Sequence, residues 1–174
     1  MNMKTQTHTK IRMMTYGALI AALYVALTYL AAALGLSSGI IQLRFSEALT
    51  VLPAIVPAFY ASGSVIGLFI GCILANTLTG AVVWDIVFGS LATLIGALGT
   101  WYLRRVPRIG TYLCWIPPAL ANTIIVPFVL QKAYGVEDAL WFLFLTVGIG
   151  EVLSCGVLGT LLIRIAGPKL KQLK

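Results

Sequence analysis

Four stretches of this 174-residue chain, 13–43, 48–84, 86–103 and 109–131, carry no charged side chain. Each reaches the roughly 18 to 20 residues that a helix needs to cross a bilayer, and the second is long enough for two crossings. Inside hydrocarbon no water satisfies a backbone N–H or C=O, so runs of this kind fold as helices that pair those groups internally. Composition agrees: 60% hydrophobic residues, 10% charged residues and a mean hydropathy of +0.98 leave too little polar surface for a soluble domain. The expectation is an all-α integral membrane protein forming a single membrane domain over 1–174.

Turn residues and prolines divide the runs into six transmembrane helices, at about 13–34, 47–59, 63–79, 86–103, 111–130 and 139–165. The second is short and holds Pro53 and Pro57, so it should be kinked or irregular. Gly167 and Pro168 are expected to stop the sixth before a lysine-rich tail. Six crossings put both termini on one side. If that side is the cytoplasm, ten of the twelve Lys and Arg residues fall inside: Lys4, Lys10, Arg12, Arg104, Arg105, Arg108, Arg164, Lys169, Lys171 and Lys174. Arg44 and Lys132 then fall outside with all five acids. The formal charge of +7 therefore reports membrane insertion, not nucleic-acid binding. The apolar run after Lys4, Lys10 and Arg12 is longer than the roughly 7 to 15 residues of a cleaved signal, and reads as a retained span. Cys72, Cys114 and Cys155 form neither a CxxC pair nor a disulfide framework and read as small packing residues.

Three carboxylates, Glu47, Asp85 and Glu151, lie within or beside strongly apolar sequence, where an ionised group is costly without a partner, ligand or water. Asn76 and Asn122 fall towards the same half of the bundle, so five helices bring polar groups to one outward-facing pocket. Carboxylates and amides suit a neutral or cationic heterocycle, because they accept from ring N–H and amino groups. Arg44, three residues before Glu47, either pairs with it or closes over ligand. Asp85 fits a helix N-cap or a ligand group; Asn76, Asn122 and Glu151 fit interhelical hydrogen bonds or ligand contacts. Trp84 and Phe88 flank Asp85 and are candidates for stacking on a planar ligand. Glu137 and Asp138 beside Lys132 read as a solvated loop.

Small residues recur every fourth position: Ala18, Ala22 and Ala26 on the first helix, and Gly63, Gly67, Gly71 and Ala75 on the third. Such ridges let helices approach closely, inside the bundle or against a separate membrane subunit. Catalysis finds little support, since His8 is the sole histidine and no GxxxxGK[ST] loop is present. Without a nucleotide loop, energy for transport must come from ions or another protein. A proton- or cation-coupled carrier using Glu151 and an enzyme acting on a lipid headgroup are the competing classes.

The run Ile41-Gln42-Leu43-Arg44-Phe45-Ser46-Glu47-Ala48-Leu49-Thr50-Val51-Leu52-Pro53, extended by 67–76 and 85–93, resembles the signature segments of the QueT-type queuosine-precursor transporters. The resemblance spans nearly the whole chain, most specifically 41–93. It implies a substrate-binding S component of an energy-coupling factor (ECF) transporter, without enzymatic activity, cofactor or metal. Such a subunit would bind a deazaguanine-type precursor outside and work with a transmembrane T component and two cytoplasmic ATPases. It further implies T-component docking on Ala18, Ala22 and Ala26, and a gate over 39–46. Glu47, Asp85 and Glu151 would meet the ligand's donors and charge, Asn76 would orient its ring and Arg44 would close over it. A different vitamin-like heterocycle is the alternative ligand.

Overall fold

The computed structural model describes residues 3–37, 40–106 and 109–170, with side chains placed for 8–37, 40–58, 60–106 and 110–170. Gly39, at the start of the expected gate, and Arg108, Lys171 and Lys174 of the basic rim lie outside the described residues. Among the described residues every regular element is helical: α1 (Met3–Ala33), a 3-10 helix (Phe45–Val51), α2 (Leu52–Ile55), α3 (Ala58–Leu78), α4 (Val83–Leu103), α5 (Ile109–Leu113), α6 (Ile116–Ala133), α7 (Leu140–Glu151), a π-helical segment (Val152–Leu158) and α8 (Gly159–Leu170).

Among the described residues, five helices are long and apolar enough to cross a membrane: 8–33, 60–78, 83–103, 110–133 and 140–170. The protein is therefore a multi-pass membrane protein. The expected span at 47–59 is corrected: it is a 3-10 helix joined to one turn of α-helix, Phe45–Ile55. With rises of about 2.0 and 1.5 Å per residue these pieces extend only about 20 Å, short of the roughly 30 Å hydrocarbon core. Pro53 sits where a missing N–H does no harm, at the start of α2, and Pro57 precedes α3, so the prolines bound the segment instead of kinking it. Ser46 to Pro53 are all buried. Such irregular backbone is tolerated at membrane depth because protein surrounds it.

Helix direction follows from close approaches. A β-carbon at Gly63 would meet the Met13 carbonyl at 2.5 Å, one at Gly67 would collide with the Gly17 carbonyl, and one at Gly71 would lie 2.9 Å from Tyr24 Cβ. Both numbers rise together, so α1 and α3 run parallel, and the glycine ridge of α3 seats α1. The chain must return between them, and the short 45–55 segment makes that return. Cys72 beside Thr93 with Asn76 beside Asp85, Gly96 against Pro118 with Gly99 against Pro117, and Gly148 against Thr123 with Gly156 against Trp115 then mark α3–α4, α4–α6 and α6 with α7 and the π segment as antiparallel pairs. Leu170 packs on the Val56–Tyr60–Ala61 cluster beside Tyr16. Both ends of the described chain therefore lie at one end of the bundle.

Arg104 anchors that end. Its guanidinium donates to the Pro53 carbonyl at 3.3 Å and the Val56 carbonyl at 3.0 Å, satisfying acceptors where α2 runs out. The last helix also differs from expectation: Gly167 and Pro168 do not stop it, and α8 continues to Leu170. At the opposite end, α3 and α6 each give way to a glycine with positive φ, Gly80 at +76° and Gly135 at +66°, a conformation that costs a side-chain-bearing residue. Those turns frame the polar end.

Candidate functional site

A cavity of about 260 Å³ opens at the polar end, lined by Tyr24, Ser37, Arg44, Asn76, Asp85 and Tyr134 among others. Helices α1, α3 and α4 supply Tyr24, Asn76 and Asp85, and the segments that follow α1 and α6 supply the others. Asp85 sits in the first turn of α4, where the helix N-terminus favours negative charge. Its face of α4 continues through Gly89, Ala92 and Thr93, all buried. Asn76, in the last turn of α3, donates to the Asp85 carbonyl at 3.4 Å. A β-carbon at Gly89 would sit 3.0 Å from Asp85 Oδ1 and 3.2 Å from Asn76 Nδ2, so glycine there keeps space open beside both.

Asp85 is only 6% exposed. Tyr134 donates to its Oδ2 at 2.9 Å, whereas Oδ1 is buried and unpaired among the described residues, as is the Ser37 hydroxyl of the same cavity. An unpaired buried carboxylate oxygen costs on the order of 1–3 kcal/mol or more, so an acceptor of this kind calls for a further donor.

Arg44 is held by its backbone. Its N–H donates to Ser154 Oγ at 3.1 Å, and two residues earlier the Gln42 carbonyl lies against Gly150, where any β-carbon would collide. Residues 42–44 are thereby laid along α7 and the π segment. Burial opposes the charge of Arg44, but nearby carboxylates, Asp85 foremost, outweigh it and hold its pKa above the ordinary value. The guanidinium stays cationic.

Beneath the cavity lies a second polar layer. Glu47, 1% exposed, accepts from Tyr24 at Oε1 through a short hydrogen bond and from Asn122 at Oε2 at 3.2 Å. Cys155 donates to Glu151 Oε2 at 3.3 Å and sits 3.6 Å from the Glu47 carbonyl and from the Thr50 hydroxyl. Ligand atoms of Glu47, Glu151 and Cys155 fall within 4.8 Å of one another, close enough to share a cation. Hydrogen bonds already engage all three, which makes them a buried polar network linking the 3-10 helix to α1, α6 and the π segment. The π geometry begins at the residue after Glu151, and π turns recur where a helix must reorient side chains at a site.

Six residues singled out from the sequence thus come together in two layers: Arg44, Asn76 and Asp85 around the cavity, and Glu47, Asn122 and Glu151 below it. Trp84 and Phe88 do not join them. They stack on each other with centroids 5.7 Å apart and line a separate apolar groove of about 560 Å³ with Ile124, Phe128 and Lys132. At about 100° per residue Trp84 lies about 100° and Phe88 about 60° from Asp85, both to the same side, so the two aromatics share a face offset from the one that carries the carboxylate. The sequence reading missed Tyr24, Thr28 and Tyr134. Tyr24 and Thr28 were discoverable as polar groups one turn apart, and Thr28 donates to Ser46 at 3.0 Å beside the cavity. Tyr134 lacked any local signal.

Ala18, Ala22 and Ala26 are all exposed. Ala18 and Ala22 line an apolar groove of about 430 Å³ formed with α3 residues such as Ile66 and Ile70.

The family model described as QueT transporter matches residues 14–167. Neither the curated proteins nor the solved structures give a significant match.

Proposed function

The chain belongs to the QueT transporter family and is a membrane transporter of the S-component kind, and from that premise we propose that it captures a queuosine precursor, a deazaguanine base, from outside the cell. The observation that carries this reading is the buried, unpaired Asp85 Oδ1 in the polar cavity. A guanine-like edge offers adjacent N–H donors, and an aminomethyl substituent would add positive charge, both complementary to such an acceptor. In this reading Asp85 and Asn76 meet the ligand's edge and Arg44 closes over it. Glu47, Asn122 and Glu151 act from below, holding the cavity floor or meeting a ligand that reaches deeper. Trp84 and Phe88 have no stacking role in this arrangement.

Energy would come from partners: a T component docked on the exposed Ala18–Ala22–Ala26 face and two cytoplasmic ATPases. The groove beside Ala18 and Ala22 supports close docking of another helix. Both described chain ends lie at the end of the bundle bearing Arg12, Arg104 and Arg105, which supports cytoplasmic termini by the positive-inside rule. That topology retains six legs, with the short 45–55 segment as the second, and puts the polar cavity outside.

Calorimetry of the purified full chain in nanodiscs, with 7-aminomethyl-7-deazaguanine, guanine and a panel of vitamins, tests the assignment. Tight binding of the deazaguanine that is weakened at least tenfold by Asp85→Asn is the expected result. Tight binding of a vitamin in its place would reassign the ligand, and uptake by the chain alone in liposomes under a pH gradient would remove the ATPase partners from the scheme.

A further inference from the structure

We infer that Tyr134 is a positioning residue, whose hydroxyl holds the Asp85 carboxylate so that one oxygen remains turned to bound ligand. The inference rests on the reading of the polar cavity as the substrate site. Tyr134 follows the last residue of α6 and precedes the positive-φ turn at Gly135, a place that gives no hint of a role. The residue is 44% exposed, yet it lines the cavity wall.

Two hydrogen bonds define what that hydroxyl does. It accepts from the Val82 N–H at 3.4 Å and donates to Asp85 Oδ2 at 2.9 Å. Val82 is the N-cap of α4, so the contact ties the end of α6 to the first turn of α4. A phenol has one proton, and the Val82 contact on its lone pair leaves that proton for the carboxylate. Burial, and after it the charge of Asp85, raises the Tyr134 pKa, so the proton stays through the physiological range.

The consequence lies in the other oxygen. The terminal torsion of an aspartate is soft and roughly two-fold, so an unrestrained carboxylate would turn either oxygen to any nearby donor. Arg44 shares the cavity and offers five such donors. With Oδ2 occupied by Tyr134, the carboxylate has one setting, and Oδ1 remains unpaired. Holding an acceptor in place before ligand arrives removes an ordering cost from binding. Tyr134 would thus act on affinity without touching the ligand's reactive or recognised groups.

The test is a double-mutant cycle on the full chain in nanodiscs, with calorimetric titration of 7-aminomethyl-7-deazaguanine into wild type, Tyr134→Phe, Asp85→Asn and the double variant. Tyr134→Phe removes one oxygen atom from a half-exposed ring, so the fold is retained. We expect about a tenfold rise in Kd for Tyr134→Phe, from the loss of one charge-assisted hydrogen bond, and no further loss when it is added to Asp85→Asn. An unchanged Kd in Tyr134→Phe, or losses that multiply in the double variant, would overturn the inference. The infrared spectrum of the ligand-free protein supplies a second measurement. The carboxylate band removed by Asp85→Asn should shift in Tyr134→Phe. If wild type binds no deazaguanine, the substrate reading fails while a shifted band still supports Tyr134 as the group that sets Asp85; an unshifted band overturns it.

Discussion

Arg104 and Arg105 are neighbours that a topology argument treats alike, and the structure predicts that they differ sharply on removal. Arg105 is exposed, with its guanidinium 5.4 Å from the Tyr102 ring centroid and 5.9 Å from that of Trp101. Arg104 is half-buried and donates to the carbonyls of Pro53 and Val56 at 3.3 and 3.0 Å. Arg104→Ala leaves both acceptors at the end of α2 without a protein donor. A charge-assisted hydrogen bond contributes about 1.5–3 kcal/mol when well formed. One of these is long and the side chain is partly hydrated, so about 2 kcal/mol for the pair is the reasoned figure. For a chain of this size that corresponds to a fall in melting temperature of about 4–8 °C. Intrinsic-fluorescence melting of the purified protein in detergent measures it. Arg104→Met, which keeps the apolar stem, should lose nearly as much as Arg104→Ala, and Arg104→Lys should recover about half, because an ammonium cannot fork to both carbonyls as a guanidinium does. Arg105→Ala should stay within about 1 °C, as expected for an exposed substitution. Equal, small shifts for both arginine-to-alanine variants would refute the anchoring argument. A further consequence reaches the site: the segment that Arg104 anchors carries Glu47 near its other end, so ligand affinity should fall in Arg104→Ala but not in Arg105→Ala.

Gly67→Ala places a β-carbon against the Gly17 backbone carbonyl, which cannot yield without separating α1 from α3; a loss of about 1–3 kcal/mol is expected, read by the same melting assay. Ala22→Trp meets an open groove and should leave stability and ligand binding within twofold while impairing uptake in cells that supply the partner subunits; equal loss of binding and uptake would return the alanine face to internal packing. Trp84→Ala should change ligand affinity less than twofold, since Trp84 lines the α4–α6 groove and not the polar cavity. Tyr24→Phe removes a donor from the buried Glu47 carboxylate and should cost about 1–3 kcal/mol of stability.

Membrane class, helical character and the approximate limits of the long helices follow from uninterrupted apolar sequence, because a bilayer forces any such run to satisfy its own backbone. The polar groups of the site were legible for the same reason: Glu47, Asn76, Asp85, Asn122 and Glu151 stand out as expensive residues in apolar surroundings. Which way each helix face points was not legible. Lipid tails are as apolar as leucine, so a membrane helix is hydrophobic on its lipid face and on its packed face alike, and the amphipathic pattern that orients a soluble helix is missing. For that reason the sequence points Trp84 and Phe88 at a ligand, although their face of α4 lines a groove apart from the polar cavity. The stretch 47–59 reads as the second of six spans because its apolarity matches one; the brevity of the segment at 45–55 is set by the α1–α3 pair, whose parallel packing demands a return, and by Arg104, which ends it.

Sequence alone therefore determined the solvent this protein lives in, the family it belongs to and the list of residues too polar to be there by indifference. Tertiary structure decided their grouping: Tyr24 and Tyr134 reach Glu47 and Asp85 across 23 and 49 positions of sequence, and no local pattern encodes such a meeting. Asp85 shows the division most clearly. Its burial cost is written in the sequence, whereas the fact that one oxygen is spoken for and the other waits in a cavity depends on where α3, α4 and α6 place their ends.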